Sequence, residues 1–97
     1  MNQRISNLRN KMKAQNLKAV LINNLKNVYY LTNFWGSNGT ALVTEERVVL
    51  FTDSRYTIHA HATCFPFVEI VETRDELTAA AEIVKDLGIK ELGFEDE

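Results

Sequence analysis

The spacing of apolar residues along this chain alternates between that of a helix and that of a strand. Ile5, Leu8 and Met12 recur at helical spacing within residues 2–16, so this segment is predicted to form an amphipathic helix. Ala19–Ile22 is a continuous apolar run, which is typical of a strand buried on both faces.

The remaining segments continue this alternation, and the predicted order is α-β-α-β-β-α-β-α-β. They are a helix through Val28 and Leu31, strands at Thr40–Thr44 and Arg47–Thr52, a helix through Tyr56, Ile58 and Ala62, a strand at Phe67–Glu72, a helix with Leu77, Ala80, Ala81, Val84 and Leu87 on one side, and a strand at Glu91–Phe94. This order predicts an α/β fold of three layers, in which a mixed β-sheet is flanked by helices on both faces.

Polar residues and a glycine mark the expected helix ends. Asp53 is predicted to be the N-cap of the third helix, because its carboxylate can accept hydrogen bonds from free backbone amides. Thr73 or Asp75 is expected to cap the last helix, and Gly88 suits the left-handed residue that follows its C-terminus.

Composition and charge exclude several classes of protein. The chain has 97 residues and a net charge of -2, which gives no reason to expect nucleic acid as a partner. No apolar run is long enough for a membrane helix, and the single cysteine, Cys64, fits the reducing cytoplasm. Three acidic residues end the chain directly after a predicted strand, so we expect residues 1–97 to be a domain that is shorter than its natural extent.

No set of catalytic or metal-binding residues stands out. His59 and His61 are two residues apart on a predicted helix and point about 200° away from each other, which favours packing or surface positions over a shared metal. Cys64 is expected to be a buried, inert thiol. Ser37 has no histidine partner that would make it a nucleophile. Gly36–Gly39 lacks the spacing and the lysine of a phosphate loop. Glycine is therefore expected at these positions because the backbone geometry of the connection requires it.

Two short segments remain as candidates for function. Phe34 and Trp35 lie in a predicted loop beside the glycines, and we expect Phe34 to be buried but Trp35 to contact a ligand or partner. In the second segment Asp53 is expected to cap, Arg55 to bond a neighbouring carboxylate or carbonyl, and Tyr56 to pack.

Together these segments resemble a known family. The run Tyr30-Leu31-Thr32-Asn33-Phe34-x-Gly36-Ser37-x-Gly39, followed after a hairpin by Thr52-Asp53-x-Arg55-Tyr56, is similar to the N-terminal domain of Xaa-Pro aminopeptidases and prolidases, the creatinase/prolidase N-terminal domain. Asn33 stands where the family usually has glycine, and asparagine tolerates positive φ better than most residues. Trp35 and Gly36-Ser37 look more like the aminopeptidase branch.

The resemblance implies a ribonuclease-H-like fold and a role outside catalysis. In such enzymes a C-terminal pita-bread domain holds two divalent metals, often manganese, and cleaves peptides with proline at the second position. The N-terminal domain contributes homodimer contacts and restricts substrate access. By resemblance, the loop from Asn33 to Gly39 reaches the active site of the neighbouring subunit. Expected substrate contacts are Phe34, Trp35 and Ser37, and the expected structural motif is Tyr30, Gly36, Gly39, Asp53, Arg55 and Tyr56.

Two other functions stay open from the sequence. The chain could be a free-standing protein-interaction module that kept the fold without the enzyme. It could also be an α/β domain that binds a small ligand through the Gly36–Gly39 loop.

Overall fold

The computed structural model describes residues 3–95 and contains the elements in the predicted order. They are α1 (Gln3–Ala14), β1 (Ala19–Ile22), α2 (Leu25–Thr32), β2 (Thr40–Thr44), β3 (Val48–Thr52), α3 (Thr57–Thr63), β4 (Glu69–Glu72), α4 (Glu76–Asp86) and β5 (Gly93–Glu95). Residue 2 of the first predicted helix and the last two acidic residues lie outside the described part.

The strands form a single mixed sheet with the order β4-β3-β2-β1-β5. β1, β2 and β3 are antiparallel neighbours, whereas β4 and β5 pair in parallel with β3 and β1 at the two edges. The connection from β4 to β5 crosses the sheet, and α4 in this connection packs against β3. The prediction of a mixed sheet in an α/β fold is confirmed.

The two faces of the sheet carry separate apolar clusters because side chains alternate along each strand. On β1, Val20 and Ile22 pack with residues of α1, α2 and α3. Ala19 and Leu21 point to the opposite face and pack with residues of α4. This explains why the strand sequences are continuously apolar, and it confirms the expected three layers.

The buried side of α4 differs from the predicted one. Ala80 and Val84 are buried, as expected, and Ala79 and Ile83 pack partly against the same cluster. Three residues predicted for that side are exposed: Leu77, Ala81 and Leu87. Apolar residues occupy more than one side of this helix, so the contact with β3 decides which side is covered.

Local hydrogen bonds account for several helix ends. Asn24 caps α2 by accepting from the backbone amides of Lys26 and Asn27. Asp75 caps α4 through the amide of Thr78, which confirms one of the two predicted caps. Gly88 has a φ of 72°, as predicted for the residue that follows α4.

Within residues 3–95 no helix has the length and apolar character required to span a bilayer.

Candidate functional site

The two sequence motifs meet at one end of the β2–β3 hairpin. We call Asn33–Gly39 the aromatic loop and Asp53–Tyr56 the acidic turn. The loop precedes β2 and the turn follows β3, and the antiparallel register places Thr40 opposite Phe51. The side-chain amide of Asn38 donates to Oδ2 of Asp53 at 2.7 Å, and the hydroxyls of Ser37 and Tyr56 share a hydrogen bond. Strand pairing therefore joins residues that are far apart in sequence.

Asn33 fixes the entrance to the aromatic loop. Its φ is 68°, so it occupies the left-handed conformation that the sequence led us to expect. Its backbone amide donates to the carbonyl oxygen of Tyr29 at 2.8 Å, and its side-chain amide donates to the carbonyl oxygen of Thr63 at 2.8 Å. The side-chain bond ties the end of α2 to the end of α3.

Phe34 forms the buried base of the aromatic loop. Only 1% of the residue is exposed, and its backbone amide donates to the hydroxyl of Thr32 at 3.1 Å. This burial agrees with the expected core position and counts against the expected contact of Phe34 with substrate. We assign Phe34 a packing role.

The glycines of the loop provide space beside the Phe34 ring. A Cβ atom on Gly36 would lie 2.3 Å from Cζ of Phe34, and one on Gly39 would lie 2.8 Å from Cε2. Among the glycines of residues 3–95, Gly88 is the one with positive φ. The expectation that Gly36 and Gly39 serve backbone geometry is therefore corrected, because the fold needs them for close packing. The packed ring also counts against a ligand-binding use of these glycines.

Trp35 and Ser37 form the exposed part of the aromatic loop. Trp35 is 66% exposed, and Ser37 is also exposed. The indole lies edge-to-face against the imidazole of His59, with ring centroids 4.2 Å apart and an angle of 87° between the planes. Of the three residues expected to contact substrate, these two are accessible.

Asp53 is not the N-cap of α3, contrary to the prediction. The helix begins at Thr57, and its N-cap residue, Tyr56, makes no side-chain capping hydrogen bond. The Asp53 carboxylate accepts instead from the backbone amide of Arg55 at 2.9 Å and from its Nη2 at 2.8 Å. The Asp53 carboxylate therefore accepts hydrogen bonds within the turn and not from the amides of α3. The Arg55 guanidinium and the Asn38 amide hold the pKa of Asp53 well below its usual range.

The remaining motif residues have structural contacts. Arg55 pairs with a carboxylate, as expected, although 70% of its side chain is exposed, so this ion pair is screened by solvent. Tyr56 packs edge-to-face on Phe34 at 6.0 Å between centroids. Tyr30 lies on α2 about half exposed, and the Arg4 guanidinium lies 4.5 Å from its ring centroid.

His59 and Asn38 belong to the site but were not predicted to do so. His59 follows Tyr56, the residue before α3, by three positions, and both rings contact Phe34 of the loop, so this spacing was a usable signal. The ring of His59 contacts Phe34 as well as Trp35. His61 on the same helix is exposed. Asn38 carried no comparable signal, because its partner is reached only through strand pairing.

Metal ligands and the Cys64 thiol are the remaining candidates for chemistry among the described residues. Within residues 3–95 no group of three His, Cys, Asp or Glu side chains is placed to hold a metal ion. Burial raises the pKa of the Cys64 thiol to about 11, so the reactive thiolate is scarce at neutral pH. Trp35 and Ser37 are the exposed residues of the aromatic loop.

Comparisons with known sequences agree with the sequence motifs. The profile of the family described as Creatinase/Prolidase N-terminal domain matches residues 4–97. The peptidase YqhT of Bacillus subtilis is 37% identical over 93 residues, which cover 95% of this chain and 26% of YqhT. The chain thus spans about a quarter of the length of that relative.

Solved structures share the fold. An XXA-pro aminopeptidase from Streptococcus pyogenes is 42% identical, with a TM-score of 0.89 over 95% of this chain and 70% of that chain. The N-terminal domain of the cytoplasmic peptidase PepQ from Mycobacterium tuberculosis is 38% identical, with a TM-score of 0.91 over 98% of this chain and 74% of that chain. The motifs, the fold and these likenesses together establish that the chain belongs to the creatinase/prolidase N-terminal domain family, the N-terminal region of Xaa-Pro peptidases.

Proposed function

We propose that this chain is the non-catalytic N-terminal domain of a cytoplasmic proline-specific metallopeptidase, an Xaa-Pro aminopeptidase or Xaa-Pro dipeptidase. It contributes to homodimer contacts and controls the access of peptides with proline at the second position. The exposed Trp35 on a loop with a rigid base carries this proposal. Such a loop can present an aromatic surface to a peptide without losing its shape on binding.

The acidic side chains near the loop support a role outside bond cleavage. Asp53 is engaged with Arg55 and Asn38, and no described cluster of three ligands fits a metal ion. The described residues therefore provide no site for the two divalent metals that the resemblance implies. We place those metals in the catalytic domain of the parent protein, which is the partner that this domain needs for activity.

The chemistry of the exposed loop fits an apolar imino-acid ring. The indole of Trp35 offers a large flat surface, and aromatic side chains of this kind contribute strongly to binding when a partner covers them. Ser37 lies beside it and its hydroxyl is held by Tyr56. The proposed contact is made across the dimer, towards the active site of the neighbouring subunit.

The test is Trp35→Ala in the full-length peptidase that carries this domain. We expect KM for a proline-containing peptide to rise while kcat changes little, because the indole adds binding and not chemistry. Unfolding free energy should fall by less than about 1.5 kcal/mol, since one edge-to-face contact is lost.

Leu77→Ala is the matched control for this experiment. Leu77 is 60% exposed and lies on α4, on the other side of the sheet from α3. Its replacement should leave both kinetic constants unchanged. Unaltered KM in a stable Trp35→Ala enzyme, or an equal effect of both substitutions, would refute the proposed substrate contact.

A further inference from the structure

The ring of His59 fixes the direction of the exposed indole of Trp35. Within residues 3–95 the ring contact of Trp35 is with His59, at 4.2 Å between centroids and 87° between planes. About two thirds of Trp35 is exposed, so few other protein atoms restrain the indole. Edge-to-face pairs of this kind are directional, because the positive edge of one ring meets the negative face of the other.

His59 itself stands on a rigid base. Its ring lies 5.7 Å from the ring of Phe34, which is almost completely buried. Its backbone carbonyl oxygen accepts a hydrogen bond from the hydroxyl of Thr63 at 2.8 Å, within α3. The buried ring of Phe34 thereby fixes the position of the His59 ring, and the His59 ring in turn restrains Trp35.

A polar atom is present where an apolar ring would suffice for packing. Nε2 of His59 is buried and has no hydrogen-bond partner among the described residues. Leaving such an atom without a partner costs free energy, so the contact is not explained by stability alone. We propose that His59 is a positioning residue, which orients Trp35 towards the substrate of the neighbouring subunit. This role rests on the proposed function of the aromatic loop.

Tryptophan fluorescence tests the contact directly, because Trp35 is the single tryptophan of the chain. The anisotropy and the wavelength of its emission report how firmly the indole is held and how much water surrounds it. His61→Gln, at the exposed histidine of the same helix, should leave both quantities unchanged.

His59→Gln should lower the fluorescence anisotropy of Trp35 and shift its emission to longer wavelength, because the indole loses its contact. His59→Phe keeps an aromatic ring, so it should preserve the anisotropy. An unchanged anisotropy in His59→Gln would overturn the positioning role.

Kinetics of the full-length peptidase connect the contact to function. We expect His59→Gln to raise KM about two- to tenfold, the range that one aromatic pair can supply. The effect should not exceed that of Trp35→Ala, and adding His59→Gln to Trp35→Ala should change nothing further. An additive double variant overturns the proposal for His59. If Trp35→Ala alone leaves KM unchanged, the proposed function of the loop fails, and the positioning role towards substrate fails with it.

Discussion

Adjacent residues of the aromatic loop have opposite environments. The ring of Phe34 is buried among Gly36, Gly39 and Tyr56, whereas the next side chain, Trp35, points to solvent. The buried ring gives the loop a fixed base, and its neighbour is thereby presented at the surface. The glycines matter because a larger residue would displace this base.

Replacing either loop glycine with alanine should destabilise the protein by overpacking. We expect Gly36→Ala to cost about 1–3 kcal/mol of unfolding free energy, and Gly39→Ala to cost less, because its Cβ would approach the Phe34 ring less closely. Urea denaturation of both variants provides the measurement. In a Phe34→Leu background the penalty at Gly36 should shrink, because the clashing ring atoms are gone.

Gly88→Ala is the control for this experiment. Gly88 has open space around its Cα and a φ of 72°, so alanine there should cost about 1–2 kcal/mol through backbone strain. Phe34→Leu should leave that penalty unchanged. A Gly36→Ala penalty that is equally large with and without Phe34→Leu would contradict the packing explanation.

The acidic turn links the sheet to α3 without capping that helix. Its carboxylate binds Arg55 within the turn and Asn38 in the aromatic loop, so Asp53 holds together two connections that flank the β2–β3 hairpin. The turn thus contributes to the shape of the loop rather than to the start of the helix.

Asp53→Asn should lower stability at neutral pH, and the difference from the natural chain should decrease in acid. The pKa of Asp53 is lowered in the folded state, so its stabilising effect is present above the unfolded value of about 3.9. The effect is lost as the pH falls from about 5 towards the folded pKa, because the folded chain must then bind the proton. Urea midpoints of both proteins between pH 7 and pH 2 provide the measurement.

Glu82→Gln serves as the charge-matched control. Glu82 lies on the exposed side of α4, far from the acidic turn, so its replacement should change the midpoint little at any pH. A difference between Asp53→Asn and the natural chain that is constant down to pH 2 would contradict the role of the ionised carboxylate.

At the scale of the whole molecule, the β4–β5 connection crosses the sheet and places α4 on the face opposite α1, α2 and α3. α1, α2 and α3 cover the face that supports the aromatic loop, and α4 covers the other face. Within residues 3–95 no group of three His, Cys, Asp or Glu side chains could hold a metal ion. The proposed function rests instead on the exposed Trp35 of the aromatic loop.

The isolated chain should have no peptidase activity when Mn²⁺, Co²⁺ or Zn²⁺ is added. The reason is the lack of a described carboxylate–histidine cluster able to hold two metals. Hydrolysis of a proline-containing peptide by the purified chain should equal the background rate. The full-length peptidase in the same assay is the positive control, and metal-dependent turnover by the chain alone would disprove the expectation.

The sequence by itself determined the order of the elements, the mixed sheet and the family. These features rest on local signals: apolar spacing in α1, the continuous apolar runs of β1 and β3, and single residues such as Asn33, Asp75 and Gly88. Each of them depends on backbone geometry within a few residues, and a linear pattern records that directly.

Only the tertiary structure decided which atoms meet. The carboxylate of Asp53 had several possible donors, and the fold gave it Arg55 and Asn38 rather than the helix amides. The contact with β3 set the buried side of α4. The Phe34 ring made glycine necessary at position 36. The indole of Trp35 met the ring of His59 on a separate element. These contacts depend on how strands and helices pack against each other, and residue spacing along a chain carries no information about distances between separate elements.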